Sequence, residues 1–330
     1  MPYDVVTLGE TMLRLTPLGM RRLEQATSLE IEVGGTESNL AIGLARLGLR
    51  VLWLSRLTNN PLGRLIARTI ASHGVDTSRV VWTEHDRVGI YFFEVGQTPR
   101  GSRVLYDRRQ SAISQMRPEE LPAELFQPHQ ARLLHLTGIT IGLGPKIAAT
   151  AREALRQARN AGWLISFDVN YRRLLWEPAA ALIGCEPFLQ SADILFVPRG
   201  DACLLYGFAP TMPAERMLEA LVERYPRATV VMTLGRDGAI GHAPSGQTVH
   251  QPAFTAEEVS RLGGGDAFAA GFLYRYLTAP PDGAWLVQAL CWGAALAALK
   301  YSIPGDAPIV DRQEVERLVA QGASSTPLLR

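Results

Sequence analysis

Short apolar runs recur along this chain, with helical patterns between them. Val5–Leu8, Val51–Leu54, Leu133–Leu136, Leu164–Phe167, Ile194–Val197 and Val230–Thr233 are apolar at nearly every position. A run that does not alternate with polar residues reads as a strand covered on both faces. Between the runs the period lengthens. Leu40, Leu44 and Leu47 share one helical face, and the pattern stops at Gly48. Leu62, Leu65, Ile66, Thr69 and Ile70 repeat it behind Pro61, which suits a first helical position. Pro145 opens a helix that closes before Gly162, and Trp285, Leu286, Ala289, Leu290, Gly293 and Ala297 mark a late, buried one. Alternating strand and helix predicts an α/β fold with a mostly parallel sheet, helices on both faces, and a three-layer core.

Two stretches break the rhythm. Residues 11–35 and about 87–110 are strand-like with no helix between the strands. Val88–Phe93 and Arg103–Tyr106 flank the loop Gly96–Gly101 as a long hairpin would. Together they predict a small antiparallel β-sheet inserted in a single domain spanning 1–330. Ligands of open α/β sheets bind at the carboxyl ends of the strands. A sheet projecting there is placed to act as a lid, and an oligomerisation surface is compatible with that role. Gln321 to Arg330 reads as a frayed tail.

Composition narrows the function classes. The chain has 330 residues, 47% hydrophobic, with a formal net charge of +1. No global field would gather nucleic acid or an acidic membrane. No run is long enough to span a bilayer, and Met1–Val6 has no basic, apolar leader character, so the expectation is a cytoplasmic protein with no membrane or nucleic-acid partner. Cys185, Cys203 and Cys291 are too scattered for a disulfide framework or a zinc site, and the histidines show no metal-ligand spacing. His135 falls inside an apolar strand and reads as a core residue. Lysine occurs only at Lys146 and Lys300, and no G-x-x-x-x-G-K-[ST] sequence is present, which removes a Walker-type loop.

The strongest chemical signal is Gly263-Gly264-Gly265-Asp266, running into the helical pattern Ala267–Phe272. Glycines let a ligand approach the backbone, and a helix starting there turns free N–H groups and its positive dipole end toward an anion. A carboxylate beside bound phosphate repels it unless it has work to do. Taking the proton of an attacking hydroxyl is such work, and an N-cap role is the plainer alternative. Other polar motifs precede it. Val33-Gly34-Gly35-Thr36-Glu37-Ser38-Asn39 leads into a helix. Asp168-Val169-Asn170-Tyr171-Arg172 follows one strand, and Thr233-Leu234-Gly235-Arg236-Asp237-Gly238 follows another.

This ordered set resembles the ribokinase-like (PfkB) family of carbohydrate kinases, from Val5 to about Ala298. The resemblance implies ATP-dependent phosphorylation of a sugar hydroxyl, with Mg²⁺, and a β-sheet lid that often pairs in homodimers. It implies that Asp266 is the catalytic base and that Gly263, Gly264 and Gly265 form the anion hole for the transferring phosphoryl group. Thr233, Gly235 and Gly238 match the turn that holds ATP phosphates, and Gly34, Gly35 and Asn39 match the sugar-binding signature. Within the family, Gly9-Glu10-Thr11-Met12-Leu13-Arg14-Leu15, Tyr106-Asp107-Arg108 and Asp168–Arg172 are most similar to the 2-keto-3-deoxygluconate kinases. That likeness puts Tyr91, Tyr106, Arg108 and Arg172 around a sugar acid, with Asp168 and Asn170 beside them. Guanidinium groups suit a substrate carboxylate, which they bond in bidentate fashion. Salt bridging of Arg108 or Arg172 to Asp107 or Asp168 is the alternative.

Three features depart from the family pattern. Ser260 and Arg261 stand where an aspartate and a threonine or proline are usual, near the monovalent-cation site of many members, which puts K⁺ activation in question. Gly264 stands where alanine is common. Pro198 replaces an asparagine, leaving Asp201 to help organise Mg²⁺ through water. Rival readings are a kinase of a neutral sugar (fructose or ribose type) or of a nucleoside, and a catalytically weak sugar-acid sensor.

Overall fold

The computed structural model describes residues 1–279 and 283–322. Its strands are β1 (Val5–Leu8), β2 (Met12–Pro17), β3 (Leu29–Gly34), β4 (Val51–Leu54), β5 (Arg56–Thr58), β6 (Val81–Thr83), β7 (Ile90–Glu94), β8 (Arg103–Asp107), β9 (Leu133–Thr137), β10 (Leu164–Asp168), β11 (Ile194–Phe196), β12 (Thr229–Thr233), β13 (Ala239–His242) and β14 (Thr248–Gln251). Its helices are α1 (Thr36–Arg46), α2 (Pro61–Ala71), α3 (Gly138–Gly142), α4 (Pro145–Asn160), α5 (Pro178–Ser191), α6 (Arg199–Tyr206), α7 (Ala214–Arg224), α8 (Gly264–Thr278), α9 (Trp285–Tyr301) and α10 (Arg312–Gln321). Of the expected frayed tail, Gln321 ends α10 and Gly322 follows it, while 323–330 lie outside the described residues.

Eight strands form the main sheet in the order β14-β13-β12-β11-β10-β9-β1-β4. Pairing is parallel from β4 through β12, and β13 and β14 are added antiparallel. The apolar runs are explained by what each face meets. Val5, Leu133, Ile194 and Val231 pack against α1, α2, α8, α9 and α10. Their neighbours Val6, Leu134, Leu195 and Val230 pack against α4, α5, α6 and α7. Both faces are dry, so a polar residue within them needs a partner, as His135 finds in the Ser166 hydroxyl at 2.9 Å. Burial of this kind is strong: truncating a fully buried phenylalanine such as Phe272 of α8 costs about 3–5 kcal/mol.

The order also locates the cleft. The chain runs from β1 outward to β4 and then returns to the other side of β1 at β9. The point where strand order reverses leaves a crevice at the carboxyl ends. Gly9-Glu10 follows β1 there, Thr137 ends β9, and the 168–172 segment begins at the last residue of β10.

The stretches 11–35 and 87–110 form a separate four-stranded sheet, in the order β3-β2-β7-β8. Its outer pairs are antiparallel, while the central β2/β7 pair is parallel. Glu32, Arg14, Tyr91 and Tyr106 stand in register across one face, and Ile31, Leu15, Phe92 and Leu105 form the next row. Successive residues of a strand point to opposite faces. The polar row therefore faces the crevice, and the apolar row faces outward, where Ile31 and Leu105 are each about half exposed.

Candidate active site

Gly263 sets the start of α8. It has φ 73°, and a Cβ at this position would collide with the backbone carbonyl of Asp306, so only glycine fits. The helix begins at Gly264, which makes Asp266 its third residue and not its N-cap. The Asp266 carboxylate accepts hydrogen bonds from the Thr36 hydroxyl and, at 2.7 Å, from the Asn39 side-chain amide. Asn170, held at φ 38°, donates to the same Thr36 oxygen at 2.8 Å. The N-terminal turn of α1 and the segment after β10 thus fix the carboxylate from two sides. Burial raises the Asp266 pKa, and the bonds from Thr36 and Asn39 and the charge of Arg172 offset part of that rise.

Asp266, Gly263 and Arg172 line two adjoining cavities. The larger, about 370 Å³, is bounded by Gly264 and Gly265 on one side and by Thr233, Gly235 and Gly238 on the other. Asp168, Asn170, Pro198 and Asp201 also line it. The smaller lies under the four-stranded sheet, against Gly34, Gly35, Asn39, Tyr91, Tyr106 and Arg108. Every residue that the sequence offers for catalysis or for binding substrate, nucleotide or metal therefore borders this two-chambered cleft.

Charges in the smaller chamber are mostly paired. Arg108 is buried and bonded to Glu10, with its Nε 2.8 Å from a carboxylate oxygen and its guanidinium over the Tyr106 ring. Its expected alternative partner Asp107 is taken by Arg87. Arg14 is bonded to Glu32 and Asp306, and the Tyr91 hydroxyl donates to Asp306. Arg172 differs: it is exposed, donates to the Tyr171 carbonyl at 3.1 Å, and makes no ion pair within 4 Å among the described residues. Its charge acts on the carboxyls of Asp168, Asp201 and Asp266 without forming an ion pair with any of them.

The larger chamber holds carboxylates. Burial, together with the charges of Asp266 and Asp201, raises the Asp168 pKa well above the ordinary carboxylate range. Burial also raises that of Asp201, which accepts from the Tyr171 backbone N–H at 2.8 Å. Hard carboxylate oxygens under mutual repulsion fit Mg²⁺, which keeps much of its water shell. Among the described residues no group of three or more acidic, histidine or cysteine side chains gathers to hold a metal. The fit is to an ion carried mainly by phosphate oxygens and water.

Several residues in the site gave no separate sequence signal. Thr36 joins Asp266 to Asn170, and its place directly after Gly35 at a helix start was the clue available. Glu10 carries a signal only as part of the Gly9–Leu15 motif, and Asp306 carries none. Glu37 is fully buried and accepts from the Thr137 and Thr140 hydroxyls at 2.7 and 2.6 Å, tying α1 to the end of β9. Its other oxygen has no hydrogen-bond partner among the described residues, and burial pushes its pKa up to about 7.

The chain is similar to known proteins over nearly its whole length. The profile described as pfkB family carbohydrate kinase matches residues 3–311. A 2-dehydro-3-deoxygalactonokinase from Haloferax volcanii is 40% identical over 326 residues, covering 98% of both chains. A 2-dehydro-3-deoxygluconokinase from Bacillus subtilis is 31% identical, covering 93% of this chain and 92% of its own. The crystal structure of 2-dehydro-3-deoxygluconokinase from Thermotoga maritima superposes with a TM-score of 0.88 at 33% identity, covering 96% of this chain and 99% of that one. A profile that spans the site from β1 to beyond α9, with relatives matched almost end to end, shows that this chain belongs to the pfkB family of carbohydrate kinases.

Proposed function

We propose that this carbohydrate kinase transfers the γ-phosphoryl group of ATP to a hydroxyl of 2-keto-3-deoxygluconate or a closely similar sugar acid, with Asp266 as base. The observation that carries the reading is the position of Asp266, at the shared wall of two chambers and at the mouth of α8. The acceptor hydroxyl gives its proton to Asp266. Its oxygen forms the new bond to the γ-phosphorus, the bond to the β–γ bridging oxygen breaks, and ADP leaves. The backbone N–H groups of Gly263 and Gly265 and the dipole of α8 stabilise charge on the transferring group, joined by that of Gly264 once it leaves the Arg261 carbonyl, 3.3 Å away. Thr233, Gly235 and Gly238 hold the nucleotide side. Asp168 and Asp201, through water, would hold Mg²⁺, which supplies charge neutralisation at the phosphates.

The acceptor reading rests on Arg172, which makes no ion pair within 4 Å among the described residues, with Arg108, Tyr91 and Tyr106 shaping the chamber and Gly34, Gly35 and Asn39 lining its floor. A neutral sugar has no use for such a cation. Relatives named for sugar acids of galacto and gluco configuration support the same class. K⁺ is assigned no part in the reaction. We place the enzyme in the cytoplasm, where ATP is the abundant donor, as a homodimer joined through the lid sheet.

The test is ADP release with Mg-ATP and, in turn, 2-keto-3-deoxygluconate, its galacto epimer, gluconate, fructose, ribose and adenosine. Turnover confined to the keto-deoxy acids is expected. In Arg172→Ala the KM for the acid should rise about tenfold or more, the equivalent of about 1.4 kcal/mol. Turnover on a neutral sugar that is indifferent to Arg172→Ala would overturn the acceptor assignment.

A further inference from the structure

Lys300 is a buried charge that the reaction described above does not use. It is fully buried in the last turn of α9, a helix otherwise almost entirely apolar. Its ammonium donates to the carbonyl of Ile303 at 3.2 Å, in the turn that follows. A buried ammonium persists only where other groups compensate it. The carboxylates that favour its charge are Asp306 in that turn and Asp266 on α8, while Arg14 on β2 opposes it. Burial lowers its pKa to about 8, with the two carboxylates acting against that fall, so it stays mostly charged at neutral pH.

The turn held by Lys300 is the frame of the anion cradle. The carbonyl of Tyr301 accepts from the backbone N–H groups of Val259 and Ser260 at 2.8 and 3.2 Å. The Ser260 hydroxyl reaches the Gly305 carbonyl at 3.4 Å. The Asp306 carbonyl packs directly on Gly263, and the Tyr301 ring packs on Gly264. On its other side, the Asp306 carboxylate engages Tyr91 and Arg14 of the small sheet. Lys300 therefore sits where α9, the glycine loop and the acceptor chamber meet.

We propose that Lys300 is a positioning residue for phosphoryl transfer. Its tethered ammonium holds the 301–306 turn, and through it the Gly263–Gly265 loop, in the geometry that receives the transferring group. It is a fixed internal cation, so the loop needs none from solution. The proposal rests on the kinase reading of the site, and the wild-type assay separates the two: silence on every acceptor defeats that reading, whereas an active wild type with an indifferent variant defeats this one.

The experiment compares wild type with Lys300→Met, which keeps the length and removes the charge. A fall in kcat of about a hundredfold is expected, with the acceptor KM changed by less than about threefold. Added ammonium or methylammonium ions should restore part of the variant's kcat and leave wild type unchanged. A variant with wild-type kcat, or one whose loss no small cation relieves, overturns the proposal. Should Lys300→Met fail to fold, the wild type itself decides. With only two lysines in the chain, ε-¹³C-lysine NMR resolves Lys300 from the exposed Lys146. The alkaline fall in kcat must coincide with loss of the Lys300 proton, and a kcat unchanged through that titration overturns the proposal.

Discussion

Glu37 shows how much the site depends on residues that never touch a ligand. It lies next to Thr36, which holds the Asp266 carboxylate, and its own carboxyl anchors α1 to Thr137 and Thr140. Burial raises its pKa from the ordinary glutamate value of 4.5 to about 7, with the two threonine bonds acting against the rise. The folded state then holds a proton that the unfolded chain has released. This contribution to stability is present in full below pH 4.5 and is lost as pH rises through 7. Its ceiling is about 3 kcal/mol. Glu37→Gln keeps the shape and removes the titration, so its stability relative to wild type should increase between pH 4.5 and 8. Chemical denaturation across that range checks this, and parallel wild-type and variant curves would refute it.

At the scale of elements, the decisive feature is the entry to α8. Its starting point is set by one left-handed residue packed against one carbonyl, Gly263 against Asp306. Gly263→Ala should cost about 1–2 kcal/mol from the backbone conformation alone. The collision should also push the 301–306 turn away from the cradle, so kcat should fall at least about tenfold even where the variant remains folded. Steady-state kinetics beside a thermal melt separates the two effects, and wild-type kcat would refute this account of the loop. The glycine run was legible because three small residues before an apolar helix have few other uses. The parallel strands were legible for a similar reason, since both of their faces had to be apolar. The parallel β2/β7 pairing was not, because it joins strands brought together by the intervening fold. Nor was the bond between Arg14 and Asp306, whose partners are 292 positions apart. Local pattern carries no register for contacts of that span.

Across the whole molecule, the small sheet inverts the usual arrangement of a one-sided sheet. Its polar row, Glu32, Arg14, Tyr91 and Tyr106, faces the crevice, and its apolar row, Ile31, Leu15, Phe92 and Leu105, faces outward. Ile31 and Leu105, each about half exposed on that outer face, suit a cover, and a second copy of the same sheet is the cover we propose. Sedimentation should find a wild-type dimer and a monomer for the double variant Ile31→Asp, Leu105→Glu. A wild-type monomer would discard the pairing without touching the chemistry. The small sheet was readable from the two stretches that interrupted the strand–helix alternation. The identities of the neighbours across the cleft were not, because the cleft is assembled from segments that meet only when the main sheet closes.

The central claim is that Asp266 takes the proton from a sugar-acid hydroxyl. The measurement that tests it most directly is the turnover of 2-keto-3-deoxygluconate and its galacto epimer with Mg-ATP by wild type and Asp266→Asn. Acceptor binding should be measured by calorimetry alongside. The account predicts that the variant still binds the acid but loses about 10²–10⁴-fold in kcat. It also predicts that wild-type kcat declines on the acid side at a higher pH than an ordinary aspartate would give, because burial raises the Asp266 pKa. Near-normal turnover by the variant, or binding of the acid by the wild type with no turnover at all, would contradict it.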